Sequence, residues 1–314
     1  MNRKSIIISL SGYNLTKKEK QLILKYKPWG IILFARNIVS IKQCRNLTNE
    51  IRKLMKDNKY PILVDEEGGT VSRIKNIYNN KFSQKYFGEI YEKNQIIGTQ
   101  VYTKYINRIS NILIKLGINI NTAPVMDMLS VRTTDILKNR CYSKNINTVR
   151  KLSINCINNQ KLNKIASVIK HLPGHGCTSI DSHKKLPFVN KSLQLLKETD
   201  FLCFKNIQSF FGMTSHIIYN SIDKNYPCTH SKILINKIIR KYIGFKGLLI
   251  SDDISMKALK LSLVNNAKLA LSSGCNLVLH CSGKSKETEL LLKNLPYIDK
   301  FTKKKTSEFY KFLS

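Results

Sequence analysis

Acidic residues are scarce in this chain. Only 20 Asp and Glu stand against 53 Lys and Arg in 314 residues, a formal net charge of +33. Such an excess invites a nucleic-acid partner. The lysines, however, are spread through every segment, and Lys, Asn and Ile dominate even plain helical stretches such as 145–164. A designed basic patch would be local, so the charge reads as biased composition, with no specific nucleic acid as partner. Long apolar runs are missing too. None approaches the ~20 residues of a spanning helix. The opening "MNRKSIIISLSGYNL" holds an apolar run of only about five residues, short of the 7–15 in a secretory leader. A soluble, cytoplasmic protein without a membrane span is expected.

Paired cysteine motifs are also absent. The eight cysteines (44, 141, 156, 177, 203, 228, 275 and 281) are scattered with no Cys-x-x-Cys, which argues against a disulfide framework or a zinc site and for ordinary thiols in a reducing compartment. No Gly-x-Gly-x-x-Gly follows a strand, so nothing favours a dinucleotide fold. No low-complexity linker or composition shift divides the chain.

What is present is alternation. Short apolar runs, "SIIIS" (5–9), "GIILF" (30–34), "PILVD" (61–65), "INTAPV" (120–125), "ASVIKHL" (166–172), "GMTSH" (212–216), "GLLIS" (247–251) and "NLVLH" (276–280), read as buried strands. Helical patterns lie between them at 16–25, 41–56, 95–116, 148–162, 192–207, 232–242 and 264–271. Eight strands alternating with helices at this length predict an α/β fold, a single-domain (β/α)8 TIM-type barrel over 1–314. The last ~25 residues read as a basic helical tail closing the barrel.

In such a barrel chemistry sits at the C-terminal tips of the strands. Here the tips read "DEEGG" (65–69), "MDM" (126–128), "KH" (170–171), "SH" (215–216) and "SDD" (251–253). One polar tip is explained by turns and helix caps, but five together point to a shared pocket. Asp252 and Asp65, each directly after an apolar run, are expected to point into the barrel mouth, and paired carboxylates are the minimum kit for glycoside hydrolysis. Asp253 reads as a cap of the following helix. Glu66 and Glu67 read equally well as structural or catalytic. Metal is not expected: His171 and His175 have a chelating helical spacing, but Pro173 and Gly174 between them do not suit a helix interior.

The stretches "VDEEGGTVSRI", "NTAPVMDM", "NRCYS", "KHLPGHGCTSIDSHKKLP", "MTSH", "FKGLLISDDISMKAL" and "SGCNLVLHCSG", in this order and spacing, resemble the NagZ-type β-N-acetylglucosaminidases of glycoside hydrolase family 3. The resemblance runs over residues 5 to 290. It implies Asp252 as the nucleophile of a covalent glycosyl intermediate, His183 as general acid/base and Asp181 as its partner. Asp65, Arg73, Arg140, Lys170 and His171 are implied to bind the terminal N-acetylglucosamine. The implied substrate is a small N-acetylglucosaminide, the 1,6-anhydro-muropeptide of peptidoglycan recycling in the cytoplasm, cleaved without a metal or organic cofactor. Within the long histidine motif, Pro173, Gly174 and Gly176 are expected to throw a loop over the mouth, with His171 facing the sugar and His175 bonding the loop. In an extended segment Asp181 and His183 point the same way, so the carboxylate can orient the ring for proton transfer.

The chain departs from the family pattern in places. Ser9 replaces a common Asp, Thr70 a common Arg, and Cys141 interrupts an Arg-Ser-aromatic pattern. The Asn-Asn-Arg often found after the last strand is absent at "CSGKSKE", which begins at Cys281. None touches Asp252 or the Asp-Ser-His, so activity is expected to survive, and aglycone preference and stability are what they bear on. Two other readings rank lower: a phosphorolytic N-acetylglucosaminidase on the same fold, and a non-catalytic basic barrel binding polyanions.

Overall fold

All eight expected strands form, and they close on themselves. A computed structural model describes residues 2–131, 133–178 and 185–314. Strands β1 (Lys4–Ser9), β2 (Pro28–Leu33), β3 (Ile62–Val64), β4 (Ile120–Asn121), β5 (Ala166–Leu172), β6 (Phe211–Thr214), β7 (Leu248–Asp253) and β8 (Leu277–His280) pair in parallel around a barrel, with β1 beside both β2 and β8. A strand buried on both faces needs apolar residues at every position, so these strands read as continuous runs. Inside the barrel lie Ile7, Trp29, Ile32, Leu63, Val168, Phe211, Leu248 and Ile250, among others. Their neighbours Ile6, Ile8, Ile31, Leu33, Ile62, Val64 and Leu249 face the helices.

The helices are α1 (Lys17–Tyr26), α2 (Ile41–Met55), α3 (Gln84–Lys93), α4 (Gln95–Leu116), α5 (Asp135–Lys138), α6 (Ile146–Leu162), α7 (Leu193–Glu198), a π-helical segment Leu234–Tyr242, α8 (Leu263–Ser273), α9 (Ser285–Asn294) and α10 (Lys300–Phe312). Among the described residues none is long and apolar enough to cross a membrane.

Three expectations need correction. The fourth strand does not run to residue 125. Its ladder ends at Asn121, because Pro124 has no N–H to give and the chain instead meets β5 through Met126 N–H on Lys170 O, 2.7 Å. The helix expected over 192–207 stops at Glu198. Thr199 leaves helical geometry (φ −121°, ψ −96°), and its hydroxyl turns back to Leu195 O while Asp200 pairs with Lys191, 2.8 Å. Helix α3 was not expected at all.

Helix α10 closes the N-terminal end of the barrel. Phe309 of α10 inserts under the strands against Phe211, with ring centroids 5.3 Å apart and planes at 72°. Thr306 accepts the indole N–H of Trp29 at 2.9 Å, so the one buried tryptophan keeps its donor satisfied.

Candidate active site

The period-two alternation that fills the barrel also selects the mouth residues. Leu248 and Ile250 point inward, and the next inward position is Asp252. In the same way Leu63 leads to Asp65, Ile120 to Thr122, Val168 to Lys170, Ile32 to Phe34, and Leu279 to Cys281. All of these tip residues line one cavity of about 210 Å³ at the C-terminal mouth. In the closed strand order β3 and β7 lie on opposite sides of the barrel, so Asp65 and Asp252 face each other across that mouth. Arg73, Arg140, His171 and His175 line it too. The cavity thus gathers six of the eight site residues expected from sequence. The other two, Asp181 and His183, lie outside the described residues.

The charges form a chain along one wall. Arg73 Nη2 donates to Asp65 Oδ2 at 2.8 Å, and Lys170 Nζ donates to Asp65 Oδ1 and to Thr122 Oγ1 and forms an ion pair with Glu67 Oε1. Arg140 grips Glu67 with two parallel bonds, Nε to Oε2 at 2.7 Å and Nη2 to Oε1 at 2.9 Å. Burial alone would raise the Asp65 carboxyl, but Lys170, Arg73 and Arg140 together outweigh it and hold it far below the usual range. Burial likewise opposes charge on Arg140, and Glu67 reverses the sign. Arg140 is therefore a buried, paired cation.

The ambiguous carboxylates sort out by their partners. Glu67 is a structural counter-ion, almost fully buried between Lys170 and Arg140. Glu66 is also structural. It accepts from Arg73 N, Ile74 N and Asn80 Nδ2, and burial lifts its carboxyl. Asp253 does not cap the next helix, contrary to expectation: α8 begins ten residues on and is capped by Ser262. Asp253 instead ties the turn after β7 to β8, accepting from Ser255 N and from Cys281 N.

His171 is out of phase with the inward positions, and the pairing of β5 with β6 is irregular between Ile169 and Leu172. The ring is held by a residue that sequence reasoning flagged only as part of a polar tip. Asp127, wholly buried, contacts His171 Nδ1 at 2.7 Å through Oδ2, while its Oδ1 accepts the backbone N–H groups of His171 (3.2 Å) and His175 (2.6 Å). The loop after β5 thus starts tied to the tip of β4. Its next turn rests on Gly176, whose Cβ position lies 1.8 Å from Met128 O, so no side chain fits there. Burial, with His171 nearby, pushes the His175 imidazole down to about 4. On the β6 side His216 Nε2 donates to Asp253 O at 3.0 Å, bracing the tip that carries Asp252.

Residues 4–305 match the glycosyl hydrolase family 3 N-terminal domain. The chain belongs to glycosyl hydrolase family 3. Curated relatives include the beta-hexosaminidase of Psychromonas ingrahamii, 31% identical over 297 residues, which are 92% of this chain and 86% of that protein. Another is the beta-hexosaminidase of Neisseria meningitidis serogroup C, 31% identical over 287 residues, 89% of this chain and 78% of that protein. Among solved structures, NagZ from Neisseria gonorrhoeae in complex with N-trifluoroacetyl-D-glucosamine superposes with a TM-score of 0.88 at 27% identity, covering 100% of this chain and 91% of that one. The family 3 barrel seen here holds, among its described residues, no cluster of three His, Cys, Asp or Glu able to bind a metal ion. All eight of its cysteines are free thiols, and all but Cys281 are buried.

Proposed function

We propose that this protein is a retaining exo-β-N-acetylglucosaminidase whose single barrel is the catalytic unit. The enzyme is a β-N-acetylhexosaminidase by class. The observation that carries the finer reading is the opposition of Asp252, on β7, to the Arg73–Asp65–Lys170–Glu67–Arg140 wall in one cavity. The wall is preorganised. Lys170 and Arg73 keep Asp65 ionised and ready to accept from sugar hydroxyls, while Arg73 Nε is buried without a partner among the described residues. A site built around such groups rejects sugars that leave them unpaired.

In this reading Asp252 attacks the anomeric carbon and the bond to the leaving sugar breaks as His183 protonates the glycosidic oxygen. Water, deprotonated by His183, then displaces the carboxylate, and the anomeric configuration is retained. Asp181 orients the His183 ring. Asp65, Arg73, Arg140, Lys170 and His171 hold the N-acetylglucosamine. The substrate that suits a strongly cationic chain is the anionic 1,6-anhydro-muropeptide of cell-wall recycling in the cytoplasm, since local charge raises its concentration at the mouth.

Aryl β-N-acetylglucosaminides should be turned over and the matching β-glucosides should not. Replacing His183 with Ala should slow cleavage of sugar leaving groups by roughly 10²–10⁴-fold, yet spare formation of the glycosyl intermediate from activated phenyl glycosides, which need no proton. Asp181→Ala should show a milder form of the same pattern. Equal losses on both substrate types would mean that the acid lies elsewhere.

A further inference from the structure

We infer that Asp127 is a positioning residue that fixes the hydrogen-bond polarity of His171 toward the sugar. The inference rests on the proposed role of His171 in the cavity, and it concerns which atom of the ring carries a proton.

Three nitrogens converge on the Asp127 carboxylate. Two are backbone groups, His171 N and His175 N, and both go to Oδ1; the third position, at Oδ2, is His171 Nδ1, 2.7 Å away. Burial would favour the neutral acid, but the hydrogen bond to the His171 ring and the backbone N–H groups of His171 and His175 favour the carboxylate, so the carboxyl sits below its usual range and is ionised. An ionised carboxylate only accepts. The proton between Asp127 and the ring therefore belongs to Nδ1. In its neutral form the ring then presents Nε2 as a lone pair, on a residue whose side chain lines the cavity. In that form His171 is an acceptor for a sugar hydroxyl, set among a wall of cationic donors. A donor at this point would have to compete with Lys170, Arg73 and Arg140 for the same sugar oxygens.

The geometry makes an unusual variant informative. In Asp127→Asn only one of the two terminal atoms can accept. The two backbone N–H groups cannot change, so the amide oxygen takes them and the NH₂ faces the ring. Nδ1 must then carry the lone pair, and the proton moves to Nε2. The substitution inverts the polarity that His171 offers the sugar while keeping shape and burial.

Nitrogen-15 shifts of the His171 ring in the free enzyme, recorded toward the alkaline end of its folded range, should report Nδ1–H in wild type and Nε2–H in Asp127→Asn. The kcat/KM for an aryl β-N-acetylglucosaminide should fall roughly 10–100-fold, as expected when a buried polar group is left mismatched. In a His171→Ala background the same Asp127→Asn change should cost little, because Asp127 acts through the ring. Fully additive losses in the double variant would mean a general structural role and would overturn the inference. So would an Nε2–H tautomer in wild type, a measurement that needs no variant to fold. A wild type that shows Nδ1–H but turns over no N-acetylglucosaminide would leave the ring assignment standing and sink the proposed function instead.

Discussion

The two ends of this barrel are built from one register and serve opposite purposes. At the N-terminal end the inward positions include Trp29 and Phe211, sealed by Phe309 of α10, with the Trp29 indole donating to Thr306. At the C-terminal end the inward positions at the tips of the neighbouring strands carry Asp65, Thr122, Lys170 and Asp252. Aromatic burial at one end is unconditionally favourable. The ion pairs at the other gain little net stability over an apolar core, and breaking one is expensive. Stability and chemistry are thus separated along the barrel axis.

The sharpest way to break this division is at Asp252. Its conversion to Ala should reduce hydrolysis by at least roughly 10⁴-fold, the scale seen when a catalytic nucleophile is lost, while leaving the urea midpoint nearly unchanged. In wild type a slow fluorinated substrate should leave its label on the peptide containing Asp252. Recovery of the label on Asp253 or Asp65 would show that the nucleophile is misassigned.

Phe309→Ala is the mirror experiment. It should cost about 3–5 kcal/mol of stability, as for other large-to-small core changes, with KM unchanged in the fraction that remains folded. A KM shift would mean that the two ends communicate. Arg140→Ala falls between the two. Stranding Glu67 beside Lys170 should weaken kcat/KM by about 2–4 kcal/mol and lower stability as well. Wild-type kinetics would remove Arg140 from the binding wall.

Acid should find the mouth before the plug. The His175 imidazole titrates near 6.5 in the unfolded chain and at about 4 in the folded one. Below about pH 6.5 the unfolded state binds the extra proton, so stability falls as pH drops through that window and is fully present above it. The loss at pH 5 should be about 2 kcal/mol for this one group. His175→Gln should flatten the slope in urea unfolding, whereas Phe309→Ala should shift the curve without changing it. Asp65 adds to the decline only below about pH 4, where its carboxyl would protonate in the unfolded chain.

The strands were legible because a parallel strand buried on both faces is an apolar run, and Asp65 and Asp252 were legible because each directly follows one. The same parity, counted on from Ile120 and Leu279, would have named Thr122 and Cys281. Pairings were not legible. Glu67 and Arg140 lie 73 residues apart, and Asp127 and His171 lie 44 apart, so only the closed barrel brings them together. The roles of Asp181 and His183 came with the family likeness. Helix α3 was hidden by its own packing. Its buried face includes Gln84, Phe87, Gly88 and Tyr91, and glycine weakens a helical pattern. Gly88 is required there, since a Cβ would lie 1.9 Å from Tyr142 O.

The seal between Trp29 and Thr306 joins residues 277 positions apart, and β1 completes its second ladder only against β8. During synthesis, then, the first strand emerges with one edge open and waits while nearly the whole chain is made. Contacts of such span are slow to form and leave sticky edges exposed meanwhile. In a chain carrying so many lysines, mutual repulsion between nascent copies would help keep those edges apart. The charge that suits an anionic substrate would then matter as well for how often the enzyme survives its own manufacture.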